Sequence, residues 1–153
     1  MTPNQILREA YLATSYHAAG VAIQLSSRPT GVRLFDGRKF AFISAQNPRS
    51  TPLSEDENLA RNAMLATVLI AKGWEYGSSF GHNTDLSWSE AGFVVWDVDL
   101  AEIAQVAKDF EQNAILYGQD EKIALHWCFS RVTEWFYPVV SRSDRGLCQQ
   151  ASG

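Results

Sequence analysis

Residues 40–48 read FAFISAQNP, an apolar run that ends in two amides and a proline. A short apolar run of this kind is typical of a buried β-strand. Proline restricts the residue before it, so Asn47 is expected to leave the strand in an extended conformation. Two interpretations remain open: either Asn47 only holds the turn after the strand, or the amides belong to a site at the strand end.

The stretch that follows, residues 50–73, predicts a long helix. Ser54 and Glu57 have the spacing of a capping box, and Gly73 stands where the helix would end. Strand, strand, helix and strand are then predicted in turn, over residues 74–88, 90–99, 100–113 (with Asp99 as the cap) and 114–118.

This order of elements is typical of an α+β fold with a ferredoxin-like split βαβ core. The core, strand-helix-strand-strand-helix-strand, covers about residues 40–118. An N-terminal helix over residues 4–12 and additional strands, such as 122–129, would extend a mostly antiparallel sheet. We therefore predict one α+β domain over residues 1–140 and a polar, flexible tail over residues 141–153.

Asp36 and Gly37 carry the strongest turn signal in the chain. An Asp-Gly pair supplies the positive φ angles of a tight hairpin turn. Strands near residues 32–35 and 38–46 are therefore predicted to pair as a β-hairpin.

Composition excludes several classes of protein. The 153 residues are 46% hydrophobic and carry a net charge of −4. The negative charge is unfavourable for binding nucleic-acid phosphates. Two cysteines, Cys128 and Cys148, are too few for a disulfide framework. No apolar run is long enough for a membrane span, and no leader sequence is recognised. These observations predict a cytoplasmic protein that binds neither nucleic acid nor membrane.

The predicted topology places polar side chains at two opposite ends of the sheet. Taking the strands that end at Asn47 and Asp97 as parallel neighbours, we expect one end to gather the residues Asn47, Asp97, Asp99, Gln112 and Asn58. The turn before the strand at 90–99 is expected at the other end, and it carries His82, Asn83, Asp85, Trp88 and Glu90. The sequence thus predicts two candidate sites.

Both faces of the strand at 93–98 are apolar, so both should be covered. The two predicted helices cover one face, and a homodimer through the other face is a further hypothesis.

Each candidate site suits a different chemistry. The amides of Asn47 and Gln112 can bind a ligand or partner by hydrogen bonds. Glu90 as a general base, assisted by His82 or Asp85, would instead suit a small hydrolase, for example one acting on a phosphoester. The spacing of these three residues matches no known metal site, and no nucleotide-binding or nucleophile-elbow motif is present, so neither a metal nor a cofactor is expected.

Four segments of the chain resemble the bacterial domain-of-unknown-function family 3293. They are FISAQNPRS (42–50), ENLARNAMLATVLIAKG (57–73), SWSEAGFVVWDVD (87–99) and FEQNAILYG (110–118). The chain departs from the family pattern at Ser44, where a threonine is usual, and at Glu111, where a glycine is usual.

The resemblance implies a small cytosolic protein without an assigned activity. The residues that carry its pattern are Asn47, Asn62, Trp88, Glu90, Gln112 and Tyr117. These positions fall at both predicted ends of the sheet, so the resemblance does not choose between the two sites.

The leading interpretation is a non-catalytic binding or regulatory module. It would recognise an unknown protein or small ligand, with Asn62, Trp88 and Tyr117 added to the residues at the Asn47 end. A small hydrolase that uses Glu90 is the first alternative, and a subunit of a larger assembly is the second.

Overall fold

The structure, a computed structural model, describes residues 2–143, which form a closed barrel of eight antiparallel strands with three α-helices. The helices are α1 (Pro3–Leu12), α2 (Glu55–Lys72) and α3 (Leu100–Asp109). The strands are β1 (Ser15–Ala18), β2 (Val21–Ser26), β3 (Phe40–Ile43), β4 (Tyr76–His82), β5 (Ser89–Trp96), β6 (Ala114–Gln119), β7 (Lys122–Trp127) and β8 (Thr133–Arg142). Around the barrel the order is β1-β2-β8-β7-β6-β3-β5-β4, and β4 pairs with β1.

Local sequence signals start and stop the helices. The Ser54 side chain accepts a hydrogen bond from the Glu57 amide, which confirms the predicted capping box, and Gly73 ends α2 with a φ of 74°. Thr2, rather than Asn4, caps α1 through the amide of Gln5. Asp99 stands at the N-cap position of α3, as predicted, but its side chain makes no capping hydrogen bond.

Alternation along the strands divides the side chains between two apolar layers. Inside the barrel lies a cluster drawn from seven strands, including Ile23, Phe40, Phe42, Val94, Leu116, Leu125 and Phe136. Outside it, α2 and α3 pack Leu65, Leu69, Ile103 and Val106 against Ala41, Ile43, Val95, Ile115 and Tyr117. The barrel thus has an apolar interior and one face covered by helices.

The two ends of the barrel are covered differently. At one end the Phe35 ring packs edge-on against Phe40 and Trp96, with ring centroids 5.0 and 4.8 Å apart. At the other end α1 lies across the opening, and its Tyr11 ring meets Trp127 edge-on at 5.6 Å. The end covered by α1, where β3 and β4 finish and β5 and β6 begin, is called the barrel mouth below.

The prediction of an open, ferredoxin-like α+β sheet is wrong, because the sheet closes into a barrel. The expected succession of strands and helices occurs between β3 and β6, but β7, β8, β2 and β1 continue the sheet beyond β6 until β1 reaches β4. Closure depends on pairings between distant parts of the chain, such as Val21 with Arg142. No local pattern in the sequence reports such pairings.

The predicted hairpin at Asp36-Gly37 is also wrong. Residues Leu34–Gly37 form a short 3₁₀ turn, and no strand precedes it from residue 27 onward. Phe35 and Asp36 take the positive φ angles of 51° and 56°. Asp36 and Gly37 do lie in a turn, as predicted. The turn does not join two strands, because Leu34 and Phe35 pack against the interior cluster and cover the end of the barrel.

The last strand extends past residue 140, where the predicted domain ends. β8 includes Ser141 and Arg142, which were assigned to the tail, and residues 144–153 lie outside the described residues. The second apolar face of the strand at 93–98, on which the homodimer hypothesis rested, is the barrel interior, where Val94 packs. A homodimer stays a prediction.

Between residues 2 and 143, no helix combines the length and the apolar character needed to cross a membrane.

Gly118 and Gly77 provide a test of the packing inside the barrel. A Cβ atom at Gly118 would overlap the Phe40 ring, whereas one at Gly77 would lie 3.7 Å from Val94. We expect Gly118→Ala to lower the free energy of unfolding by about 1–3 kcal/mol, because the core has no room for the methyl group. Urea denaturation followed by circular dichroism measures this change.

Gly77→Ala is the matched control, since Gly77 is also an inward-facing strand glycine and pairs with Val94. It should change stability much less. Equal losses in the two variants would contradict the tight contact between Gly118 and Phe40.

Candidate functional site

A cavity of about 510 Å³ opens at the barrel mouth. Its walls come from five places: α1 with the start of β1, the end of β3 with the loop at residues 44–52, the end of β4, the turn at 83–88 with β5, and residues 112–116. We call it the mouth cavity. Because all these walls meet at one end of the barrel, side chains far apart in the chain face the same space.

β4 creates the room for the mouth cavity. Its inward-facing residues are Gly77, Ser79 and Gly81, as their pairing with the inward face of β5 shows. The interior apolar cluster therefore receives no side chain from β4. An ordinary Val or Leu at these positions would fill the space that Ser79 and Gly81 leave open.

Aromatic side chains make up much of the wall. Tyr11, Tyr16, Phe42 and Trp88 line the cavity. Tyr16 and Phe42 stack with ring centroids 6.1 Å apart, and the Tyr16 hydroxyl donates a hydrogen bond of 2.9 Å to the Tyr11 carbonyl oxygen. Trp88 stands at the rim, where 42% of its surface stays exposed. The wall is thus apolar and held in place by contacts among its own rings.

Glu90 is the charged group of this wall. It lies on β5 with the inward parity of Gly92 and Val94, and no Asp, Lys, Arg or His accompanies it among the described lining residues. Burial raises the pKa of Glu90 to about 7, and hydrogen bonds from Ser44 and Asn47 oppose that rise. Burial also raises the pKa of the Tyr11 and Tyr16 hydroxyls, and the nearby Glu90 carboxylate adds to this.

Asn47 holds its loop, as the first interpretation of residues 40–48 has it, and it also lines the mouth cavity. Its Oδ1 atom accepts from the Leu53 amide at 3.1 Å and from Asn58 Nδ2 at 2.9 Å. The backbone N–H of Asn47 donates to Asn58 Oδ1 at 2.9 Å. These bonds occupy the oxygen and leave the Asn47 NH₂ group to donate to Glu90.

The backbone of Asn47 differs from expectation. It is left-handed, with φ 48° and ψ 65°, instead of extended. Asparagine tolerates this region, and the paired amides of Asn47 and Asn58 stabilise it against the preference that Pro48 imposes.

The other predicted amides mainly fasten loops. Gln112 is buried, lines the cavity and donates to the Gln46 carbonyl oxygen at 3.0 Å. Asn62 bridges the Ala45 amide and the Ala91 carbonyl oxygen at 2.9 and 3.0 Å. These bonds fix the rim of the cavity in position.

Three residues predicted for the Asn47 end lie elsewhere. Asp97 pairs with Arg38 at 2.6 Å at the far end of the barrel, where Asp99 lies 3.8 Å from Lys39. Tyr117 is buried under the helices and donates to the Val98 carbonyl oxygen at 2.7 Å. The reason is that β3 and β5 are antiparallel, so Asp97 follows Trp96 beside the start of β3.

His82 and Asp85 do not join Glu90 in the cavity. His82 lies on the outer face of β4, where its Nε2 atom is 2.8 Å from Nε2 of His17 and its Nδ1 atom is 2.8 Å from the Asn83 carbonyl oxygen. Asp85 sits in the exposed turn and accepts from the Ser87 amide, a bond that lowers its pKa. No group of three His, Cys, Asp or Glu between residues 2 and 143 could hold a metal ion.

The structure therefore joins the two predicted sites into one. Asn47 and Gln112 from one, and Trp88 and Glu90 from the other, line the same cavity. Sequence reasoning missed Tyr11, Tyr16 and Phe42. The signal that could have found the space is the period-two run of small residues at 77, 79 and 81, which marks a strand with no inward bulk.

Comparison with known proteins gives one match. The family described as "Protein of unknown function (DUF3293)" matches residues 43–115. No curated protein and no solved structure matches the chain. The matched segment contains Asn47, Trp88, Glu90 and Gln112, whereas α1 and β1 precede it.

Glu90 should make stability depend on pH. Its folded-state pKa of about 7 lies above the ordinary value of 4.5, so between these values the folded state binds the proton more tightly than the unfolded chain does. The free energy of unfolding should fall by about 3 kcal/mol as the pH rises from 4 to 8. Urea denaturation of the wild type and Glu90→Gln at both pH values isolates this effect.

The glutamine variant removes the titrating group and keeps the shape. Relative to the wild type, it should gain stability at pH 8 but not at pH 4. Parallel pH profiles for the two proteins would show that the Glu90 carboxyl titrates normally.

Proposed function

The chain belongs to the DUF3293 family, whose description names no activity, and we propose from the mouth cavity alone that the protein binds a small, largely apolar molecule. The observation that carries this proposal is an open, aromatic-lined cavity of about 510 Å³ with one carboxyl group in its wall. Small-molecule sites are typically clefts of roughly 300–1,000 Å³ with apolar walls and few polar groups.

The open space supports binding because stability alone would favour filling it. Cores are close-packed, and unfilled volume costs free energy. Here Ser79 and Gly81 leave the space that larger residues would occupy, and α1 lines it with Leu7, Ala10 and Tyr11 without filling it. A ligand that fills this volume would recover the missing contacts.

The placement of Glu90 supports the same proposal. A carboxylate in an apolar wall without a cationic partner is costly, and its raised pKa expresses that cost. Ser44 and Asn47 hold it from one side, while Asn58, Asn62 and Gln112 fasten the surrounding loops. A rigid wall with one charged group suits orientation of a bound molecule.

Catalysis by Glu90 is a second candidate function. A carboxyl group with a pKa near 7 is suited to accept or donate a proton at neutral pH. The arrangement is less favourable for the alternative of a hydrolase in which His82 or Asp85 assists Glu90, because His82 and Asp85 face away from the cavity. We therefore place binding first.

A neutral apolar fluorophore, N-phenyl-1-naphthylamine, tests for binding in the cavity. Its fluorescence should rise saturably when wild-type protein is added. Ser79→Leu should weaken binding about tenfold or more, because the leucine side chain would occupy part of the cavity. The ligand would then lose apolar contacts worth about 1.4 kcal/mol, which corresponds to a factor of ten in affinity.

Ser78→Leu is the matched control, since the neighbouring Ser78 is exposed on the opposite face of β4. It should leave the affinity unchanged. Absence of saturable fluorescence, or equal affinity in the two variants, would refute binding in the mouth cavity.

A further inference from the structure

The charges around the mouth cavity identify the class of molecule that fits it. We propose that the ligand is an organic cation, with an ammonium group held by Glu90 and a hydrocarbon or aromatic part against the rings of Tyr11, Tyr16, Phe42 and Trp88. This inference rests on the proposed function and adds the chemical class of the ligand.

The first argument is that the described chain gives Glu90 no cationic partner. The arginines on nearby elements are used elsewhere: Arg8 pairs with Glu134 at 2.8 Å, Arg49 contacts Glu111 at 3.4 Å, and Arg61 donates to the carbonyl oxygens of Ala45 and Phe110. Within residues 2–143, no ion pair includes Glu90. A ligand cation would supply the missing charge.

The second argument is that Glu90 keeps capacity to accept hydrogen bonds. An ionised carboxylate offers about four acceptor directions. Asn47 uses part of this capacity from the loop side, whereas the Ser44 hydroxyl donates its hydrogen to the Ala91 carbonyl oxygen at 2.7 Å. An ammonium N–H can bind the oxygen atoms from the cavity side, and such charge-assisted bonds are stronger than neutral ones.

The third argument is the aromatic wall. Glu90 lies near Tyr11 and Tyr16, as its effect on their pKa shows, so an ammonium group held by Glu90 would lie near these rings as well. Aromatic ring faces carry partial negative charge and attract cations. The two tyrosines remain uncharged, because burial and Glu90 both raise their pKa. The wall therefore favours a positive ligand without adding a second full negative charge.

Other ligand classes fit less well. An anionic ligand would meet the Glu90 carboxylate, and bringing like charges together in an apolar site is costly. A neutral ligand would gain the apolar contacts but would leave the carboxylate uncompensated. Only a cation satisfies both the charge and the rings.

Binding of a cation should also release a proton. The titratable groups that face the cavity from the surrounding elements are Tyr11 on α1, Tyr16 on β1 and Glu90 on β5. Of these, Glu90 is the one whose proton is lost near neutral pH, because its pKa is about 7. The affinity for a cation should therefore rise between pH 5.5 and pH 8.

Three compounds with one skeleton test the inference: 3-phenylpropylamine, 3-phenylpropanol and 3-phenylpropionate. Their affinities are measured by displacement of the naphthylamine fluorophore at pH 8. We expect the amine to bind about tenfold more tightly than the alcohol, and the carboxylate to bind most weakly. At pH 5.5 the advantage of the amine should shrink several-fold, because Glu90 is then largely protonated while the amine stays charged.

Two variants locate the effect. Glu90→Gln should bring the amine to the affinity of the alcohol in the same variant, so that the difference between the two compounds disappears. Trp88→Leu, at the exposed rim, should weaken the amine more than the alcohol.

The outcomes separate the two proposals. If the fluorophore binds but the amine fails to displace it, or displaces it no better than the alcohol does, the inference of a cationic ligand is overturned. The cavity then remains a binding site. If the fluorophore does not bind and none of the three compounds is detected by calorimetry, the proposed function fails, and the inference fails with it.

Discussion

The pairing of β1 with β4 is the constraint on which the rest of the structure depends. It joins Ser15 to His82 and His17 to Phe80, and it closes a sheet that would otherwise present two free edges. Closure also sets the position of α1, which runs directly into β1 and lies across the mouth as a result. The enclosure of Glu90 follows, because two of its aromatic neighbours, Tyr11 and Tyr16, come from this part of the chain.

Local features of the fold were readable from the sequence, whereas its closure was not. The capping box of α2, its final glycine and the succession of elements from β3 to β6 depend on neighbouring residues, and each has a recognisable pattern. Closure depends on pairs such as Tyr16 with Gly81, which are far apart in the chain. A strand carries no mark of its partner, so an open sheet and a closed barrel share the same local pattern.

The candidate site was predicted in its residues but not in its geometry. Asn47, Trp88, Glu90 and Gln112 were each singled out, and all line the cavity. They were assigned to opposite ends because β3 and β5 were taken as parallel, and the same error placed Asp97 beside Asn47. Strand direction decides which residues meet, and one reversed strand is enough to divide one candidate site into two.

The mouth cavity has two chemically different walls that come from different stretches of the chain. The polar wall, with Asn47 and Glu90, lies inside the segment shared with the family, and much of the aromatic wall belongs to α1 and β1, which lie outside it. The carboxylate and its supporting loop therefore lie together in one stretch of the chain, while much of the wall opposite comes from another. A substitution at Leu7 or Ala10 would reshape the cavity and leave its carboxylate unchanged. For protein engineering, the shape of the cavity and the charge of its wall can therefore be varied independently.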